Sequence, residues 1–374
     1  MFSPDNVLGI TVSVDATRRC QLACRYCYFG VKSGGDMDTR RLEQGLQNFV
    51  AVFPQLSALQ LCFLGGEPLL AWEEIVGLVA TTRAFCDRRG IRLAWDVTSN
   101  LIALDDRKTE FMIGERAAIN CSLDGPAELH NANRPFQGGE NSFDSVRRNV
   151  QRALRITPNG LARATVCPDG AGRCVEIARF ALGLGFKYVR ISRAAGTKIA
   201  WTDECIATFV HSLADAYRAS PTYPNRRRAV LMSRKRCTRP RQQFEYCPAG
   251  KYQWAIDADG RLYDCHLLTS MPELSIVDLA ETPERIAQEI ARRSLSPHRS
   301  CAPIPPNCRQ CSAVDFCAGG CWARNYLFNH DPRVPDSVGC KVRIGLVEEL
   351  GGVPPKEETP TSPGEIPAGS GAED

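Results

Sequence analysis

From the amino terminus to about residue 220, short apolar runs rich in β-branched residues alternate with segments whose apolar positions recur every three or four residues. LGITVSV (8–14) predicts a strand, and MDTRRLEQGLQNFVAVF (37–53) predicts a helix with a buried stripe at Leu42, Leu46, Phe49 and Val50. ALQLCFL (58–64) is a second strand, followed by the helical WEEIVGLVATTRAFCDRR. IRLAWDVTS, AAINCSLD, LARATVC and YVRIS continue the strands, with helical segments near 105–114, 143–156, 172–184 and 203–219. Ser142 and Asp203 are placed to cap the helices they precede. Six strand-helix units in order imply right-handed crossovers, hence a parallel sheet with helices outside it. Six units are too few for an eight-fold barrel, so the expected class is α/β, a partial (β/α)6 TIM-like barrel over residues 1–220. Its ligand site belongs at the carboxyl ends of the strands.

The periodicity changes after residue 220. Residues 221–246 read as a basic linker, with eight Lys or Arg in the sixteen positions from Arg226 to Arg241, either a solvated connection or a docking surface for an acidic peptide. QWAIDADGRLYDC carries a hairpin signature around Asp259-Gly260. Residues 247–345 are cysteine-rich and read as loop-rich, a composition that needs metal or covalent staples. The tail 351–374, with five Pro and five Gly in 24 residues, reads as disordered.

Net charge of +4 is too small to imply nucleic acid as a partner. No stretch is long and apolar enough to span a membrane, and MFSPDNVLGITVSV lacks the pattern of a secretory signal. The expected location is cytoplasmic, with thiols reduced, and eighteen cysteines then point to metal or redox chemistry.

Three of them, Cys20, Cys24 and Cys27, follow the first strand at Cys-x3-Cys-x2-Cys spacing. Three thiolates hold three corners of a [4Fe-4S] cluster and leave one iron open to an exchangeable ligand. At the end of the second strand stands Phe63-Leu64-Gly65-Gly66-Glu67-Pro68, where two glycines allow close backbone approach to a ligand and a carboxylate suits an amino group. Thr98-Ser99-Asn100 and Ser122-Leu123-Asp124-Gly125 put small polar groups on the same rim.

The cysteine spacing, the aromatic Tyr26 before the third cysteine and the Gly-Gly-Glu-Pro run together resemble the radical S-adenosylmethionine superfamily. The resemblance implies that Cys20, Cys24 and Cys27 hold the cluster and that Gly65, Gly66 and Glu67 lie beside the methionine amino group of S-adenosylmethionine. It further implies Ser122 and Asn100 near the ribose or carboxylate, Ile191 near adenine, and Arg134 of SLDGPAELHNANR as partner of the methionine carboxylate. In that family, reductive cleavage of S-adenosylmethionine gives a 5'-deoxyadenosyl radical that abstracts a hydrogen atom.

A second array, Cys247, Cys265, Cys308-x2-Cys311-x5-Cys317-x3-Cys321 and Cys340, is similar to the SPASM domain, which carries up to two auxiliary iron-sulfur clusters. By that resemblance Cys308, Cys311, Cys317 and Cys340 hold one cluster, and Cys247, Cys265 and Cys321 hold the other. Two closed sites need an eighth thiolate, for which Cys237 is the first candidate and Cys301 the second. Relatives of this kind mostly modify ribosomally made peptides, some guided by a separate leader-peptide-binding protein and reduced by flavodoxin or ferredoxin. The expected function is a peptide maturase forming a cross-link, with sulfatase maturation to formylglycine, peptide epimerisation and small-molecule dehydrogenation as alternatives. Sulfatase maturases carry Asp directly after the cysteine matching Cys265, where this chain has His266; Asp264 stands on the other side. Tyr28, beside Cys27, is a candidate next to the radical site. The first strand begins about eight residues in, so no fused leader-binding domain is expected there.

Overall fold

The computed structural model describes residues 4–30, 32, 34–196, 198–223, 228–231, 247–294, 306–317 and 319–352. Cys237, Cys301, most of the basic segment and the proline-rich tail lie outside the described residues.

Six strands, β1 (Gly9–Thr17), β2 (Ala58–Gly65), β3 (Arg92–Ser99), β4 (Ala118–Ser122), β5 (Leu161–Val166) and β6 (Tyr188–Arg193), pair in chain order and in parallel. Helices α1 (Thr39–Ala51), α2 (Trp72–Arg88), α3 (Asp106–Gly114), α4 (Ala127–Asn133), α5 (Phe143–Ile156), α6 (Cys174–Gly183) and α7 (Asp203–Ala219) fall between and after them. The partial α/β barrel expected from the pattern is therefore present. A short β7 (Val230–Leu231) extends the sheet beyond β6, parallel to it.

The chain's second half joins the same sheet on its other side. Strand β8 (Gln253–Ile256) runs parallel to β1, and β9 (Arg261–Tyr263) and β10 (Val277–Asp278) follow antiparallel, giving the order β10-β9-β8-β1-β2-β3-β4-β5-β6-β7. The hairpin turns at Asp259-Gly260 as expected, with Gly260 at φ +85°. Residues 247–345 carry the helices α8 (Pro283–Ser294), α9 (Val314–Cys317), α10 (Trp322–Asn329) and most of α11 (Ser337–Glu349). Their apolar positions pack on the barrel's own helices, α8 on α1 and α11 on α7, so no separate periodic core was visible in the sequence. Arg193 at the end of β6 pairs with Asp336, the N-cap of α11, and locks the two halves together.

Two capping expectations need correction. Thr202, not Asp203, caps α7 by accepting from Cys205 N, which puts Asp203 inside the first turn, where a carboxylate still favours the helix dipole. Ser142 precedes α5 but makes no cap; its hydroxyl donates instead to the carbonyl of Arg134.

Strand alternation sorts the barrel into two faces. Val12, Val14, Leu59, Leu61, Phe63, Trp95, Val97, Ile119, Ala162, Ala164, Val189 and Ile191 belong to the apolar core under the helices. The intervening Ser13, Asp15, Gln60, Cys62, Asp96, Thr98, Asn120, Ser122, Arg163 and Arg190 line the concave side. Polar side chains there are hydrogen-bonded to one another: Asp96 accepts from Gln60 at 2.8 Å, Cys62 at 3.1 Å and Asn120 at 3.2 Å.

Candidate active site

Cys20, Cys24 and Cys27 sit on the loop leaving β1, at the carboxyl end of the sheet, where the topology puts a site. All three are free and partly accessible, and Cys24 lies within electrostatic reach of both Cys20 and Cys27. Leu22 N points at Cys20 Sγ at 3.4 Å, a contact suited to a thiolate. Burial pushes the Cys20 thiol up to about 11, so without metal it is protonated at neutral pH, and ligation must displace its proton. Soft thiolates on one short loop fit an iron-sulfur cluster.

The Gly-Gly-Glu run does something the sequence reading did not anticipate. Gly66 N donates to Thr17 O and Glu67 N to Arg19 O, both at 2.8 Å, so the strand end is stitched to the backbone leading into Cys20. A Cβ on Gly65 would stand 2.4 Å from Thr17 O, and one on Gly66 2.1 Å from Arg19 O. The glycines are thus needed for backbone to meet backbone. Glu67 is 1% exposed, and its carboxylate accepts from Ser99 Oγ at 2.7 Å, Asn100 N at 2.8 Å and Leu69 N at 3.1 Å. Desolvation pushes its pKa up to about 7 despite these donors. Its oxygens tie the ends of β2 and β3 together.

Asn100 reaches toward the cysteine loop, with Nδ2 3.3 Å from Gln21 Oε1 and 3.9 Å from Cys20 Sγ. Arg134 is buried and engaged: its Nε lies 3.0 Å from Asp124 Oδ2, and its guanidinium stacks 5.3 Å from the Tyr26 ring centroid. Tyr26 donates its hydroxyl to the same Asp124 carboxylate, whose other oxygen accepts from Thr165 N at 2.9 Å. This network holds the cysteine loop against β4 and β5. Tyr26→Phe keeps the ring and removes the bond, and is expected to cost about 1–3 kcal/mol of stability in denaturant titration. Ile191 lies in the helix-facing core between Arg190 and Ser192, so its side chain is not on the concave face where an adenine was expected. Ser122 ends β4 on the concave side, in register with Arg163.

Tyr28 and His266 come together, ring centroids 6.0 Å apart, although 238 positions separate them in the chain. Tyr28 keeps 41% of its surface open, yet desolvation raises its phenol far above the usual range. Asp15, Cys27, Cys265 and Arg163 are the charges it senses, so the cysteine loop and the Cys265 turn face one space. Desolvation, with Arg163 and Arg324 nearby, lowers His266 to about 4 and keeps it neutral. Asp264, the other candidate at this turn, is buried with one oxygen 3.7 Å from Arg293 Nε of α8.

The C-terminal cysteines divide into two groups. Cys340 lies within electrostatic reach of Cys317, Cys308 and Cys311, which makes one four-thiol set. Cys247, Cys265 and Cys321 pack around a second small core of Ala249, Tyr263, Leu268 and Trp322. Among the described residues no group of three or more His, Cys, Asp or Glu is arranged to hold a metal ion as it stands.

Sequence reasoning missed Asp15. It is 2% exposed on the concave side of β1, with Oδ1 unpartnered, and burial pushes its pKa up to about 7 against the pull of a hydrogen bond with Thr269. Strict alternation through GITVSVDAT was the signal available for it. A raised carboxyl binds its proton more tightly folded than unfolded, so its favourable contribution is full below the unfolded value near 3.8 and is lost as pH rises toward 7. Asp15→Asn is therefore expected to be about 2 kcal/mol more stable than the natural protein at pH 8 and equal to it near pH 4, measured by urea unfolding at both values.

A partial barrel with three thiols on the loop leaving its first strand is the arrangement that the resemblance to radical S-adenosylmethionine enzymes led one to expect. Residues 14–180 match the model of the Radical SAM superfamily, so this part of the chain is a Radical SAM domain, and the relatives support an enzyme that modifies a substrate. Among curated relatives, the serine-type anaerobic sulfatase-maturating enzyme of Klebsiella aerogenes is 23% identical over 327 residues, 81% of this chain and 76% of that one. The PqqA peptide cyclase of Ruegeria pomeroyi is 24% identical over 355 residues, 88% of this chain and 86% of that one. Native anSMEcpe with bound AdoMet and Cp18Cys peptide superposes with a TM-score of 0.75 at 18% identity, over 91% of this chain and 96% of that one, which establishes the shared fold. The superfamily implies a [4Fe-4S] cluster and S-adenosylmethionine as cofactors. No helix among the described residues is long and apolar enough to cross a membrane.

Proposed function

We propose that the protein is a peptide maturase that removes hydrogen from a residue of a ribosomally synthesised peptide and leaves a cross-link. The observation that carries this reading is the Tyr28–His266 contact, which brings the C-terminal cysteine segment against the radical-site loop. Cys20, Cys24 and Cys27 would hold the cluster that binds S-adenosylmethionine, and Cys308, Cys311, Cys317 and Cys340, with Cys247, Cys265 and Cys321, would hold auxiliary clusters. Bound there, these groups supply a primary carbon radical and an acceptor for the second electron. The chain's own residues bind and orient the peptide and keep water out. A cross-link formed with net loss of two hydrogens also releases a proton; Asp15, beside Tyr28, is the carboxyl group placed to take it.

Formylglycine formation is the second reading, favoured by the likeness to sulfatase-maturating enzymes. His266 after Cys265, neutral and donor-poor as a base, weighs against it, as does the engagement of Asp264 with Arg293.

The test is anaerobic incubation of the reconstituted enzyme with S-adenosylmethionine, a strong reductant and candidate peptides encoded beside its gene. Loss of two hydrogens, with fragmentation suppressed between two residues and no reaction with a hydrazine, supports the cross-link. An aldehyde trapped by hydrazine assigns formylglycine, and deuterium uptake without mass loss in ordinary water assigns epimerisation. Release of 5'-deoxyadenosine with every peptide unchanged sinks the peptide reading.

A further inference from the structure

The loop that carries Cys20, Cys24 and Cys27 is paired along much of its length. The chain from Asn133, the last residue of α4, to Gln137 runs antiparallel beside it. Arg25 N donates to Asn133 O at 3.0 Å, Ala23 N to Pro135 O at 2.8 Å and Gln137 N to Gln21 O at 2.9 Å, with Leu22 opposite Phe136. Within the loop, Cys27 N donates to Cys24 O at 3.1 Å. The side chain of Gln137 adds a bond from Nε2 to the carbonyl of Cys20, the residue that opens the motif. Two short paired segments are marginal in water by themselves, so this pairing needs anchors elsewhere in the fold.

It has them at both ends. The guanidinium of Arg134 pairs with Asp124 and lies over the Tyr26 ring, and its carbonyl accepts from Ser142 Oγ. On the far side the chain closes a tight turn, with Phe136 N donating to Glu140 O and Gly139 N to Phe136 O, both at 2.9 Å, and Gly139 at φ +93°. Pro135, in the middle, has no N–H to leave unpaired on the outer edge. Gln137 is exposed, so its bond to Cys20 is not a by-product of core packing.

We propose that residues 133–137 form a strap that sets the backbone path of the cysteine loop without metal, and that Gln137 is a positioning residue for Cys20, acting through its carbonyl. What metal binding then has to set is the rotamers of the thiols, not the course of the chain. This holds whatever the substrate, so it stands apart from the peptide-maturase reading.

The first test uses the full-length chain with Cys20, Cys24 and Cys27 all replaced by alanine, reconstituted so that only the C-terminal cysteines take iron, and follows amide hydrogen exchange at Ala23 and Arg25. Both amides are expected to be protected. Gln137→Met in that background removes the donor, keeps the length of the side chain and should speed their exchange about fivefold, with amides in β5 and β6 unchanged. The second test uses the reconstituted holoenzyme carrying Gln137→Met or Gln137→Lys. A looser loop admits water to the cluster, and water favours the more highly charged reduced form. The midpoint potential of the paramagnetic signal that changes on adding S-adenosylmethionine should therefore rise in Gln137→Met. It should stay near the natural value in Gln137→Lys, which restores a donor to the carbonyl. Exchange of Ala23 and Arg25 at the rate of a free peptide in the triple-alanine chain overturns the strap. Exchange or potential unmoved by Gln137→Met overturns the role of Gln137, as does a matching loss of global stability in thermal unfolding, which would make that side chain merely structural.

Discussion

Replacing any one of Cys20, Cys24 or Cys27 by alanine is expected to abolish reductive cleavage of S-adenosylmethionine, with 5'-deoxyadenosine falling to the background of reductant alone. The three thiols belong to one loop between β1 and α1, and Cys24 lies within electrostatic reach of the other two. A cluster held by three thiolates has none to spare, so removing one leaves two irons each with an exchangeable position and exposes the cluster to loss. Each variant should lack about four iron atoms per chain relative to the natural protein after reconstitution. The loop should nevertheless keep its path, because Tyr26, Arg134 and Asp124 anchor it independently of metal. Circular dichroism and thermal unfolding of the metal-free forms should therefore be nearly unchanged. Residual cleavage in all three variants, measured by chromatography of the nucleoside product, would remove the radical-site assignment.

Gly66→Ala is expected to be the most damaging single methyl group that can be added to this fold. Its Cβ would stand 2.1 Å from Arg19 O and 2.9 Å from Arg18 O, both backbone atoms that cannot rotate aside. Relief requires the segment 17–19 to move, which breaks the hydrogen bonds from Gly66 N and Glu67 N and shifts Cys20. A loss on the order of 3 kcal/mol or more in unfolding free energy is expected, with impaired cluster loading. Gly183→Ala is the matched control: it lies in α6 with open space where the methyl would go, and should be neutral or stabilising by about 0.5–1 kcal/mol. Equal stability of the two variants in denaturant titration would contradict the stitched-backbone account.

The same two glycines show what a local motif leaves open. Glycines beside a carboxylate at a strand end look like an approach route for a ligand, and nothing in the local sequence says that the approaching backbone belongs to residues 17–19. That knowledge needs the β1–β2 register, in which Thr17 pairs with Gly65. Ile191 and Arg134 illustrate a related limit. Ile191 falls on the core side of β6 because strand alternation is fixed by its neighbours Arg190 and Ser192, a pattern readable in YVRIS but outweighed by the resemblance. Arg134 reads as an available cation until Asp124, ten residues earlier, is seen to turn back and meet it.

By itself the sequence determined the strand-helix alternation, the partial barrel and the cysteine loop at its carboxyl end. These depend on local periodicity and on spacings within one segment, which the order of residues carries directly. Only the tertiary structure decided that the second half adds strands to the barrel's own sheet beside β1, which brings the His266 turn onto Tyr28. It alone decided that Arg134 meets Asp124 and that Arg193 meets Asp336. The physical reason is the same throughout: whether a buried charge is free or neutralised depends on groups tens to hundreds of positions away, and only the folded chain fixes which of them arrive.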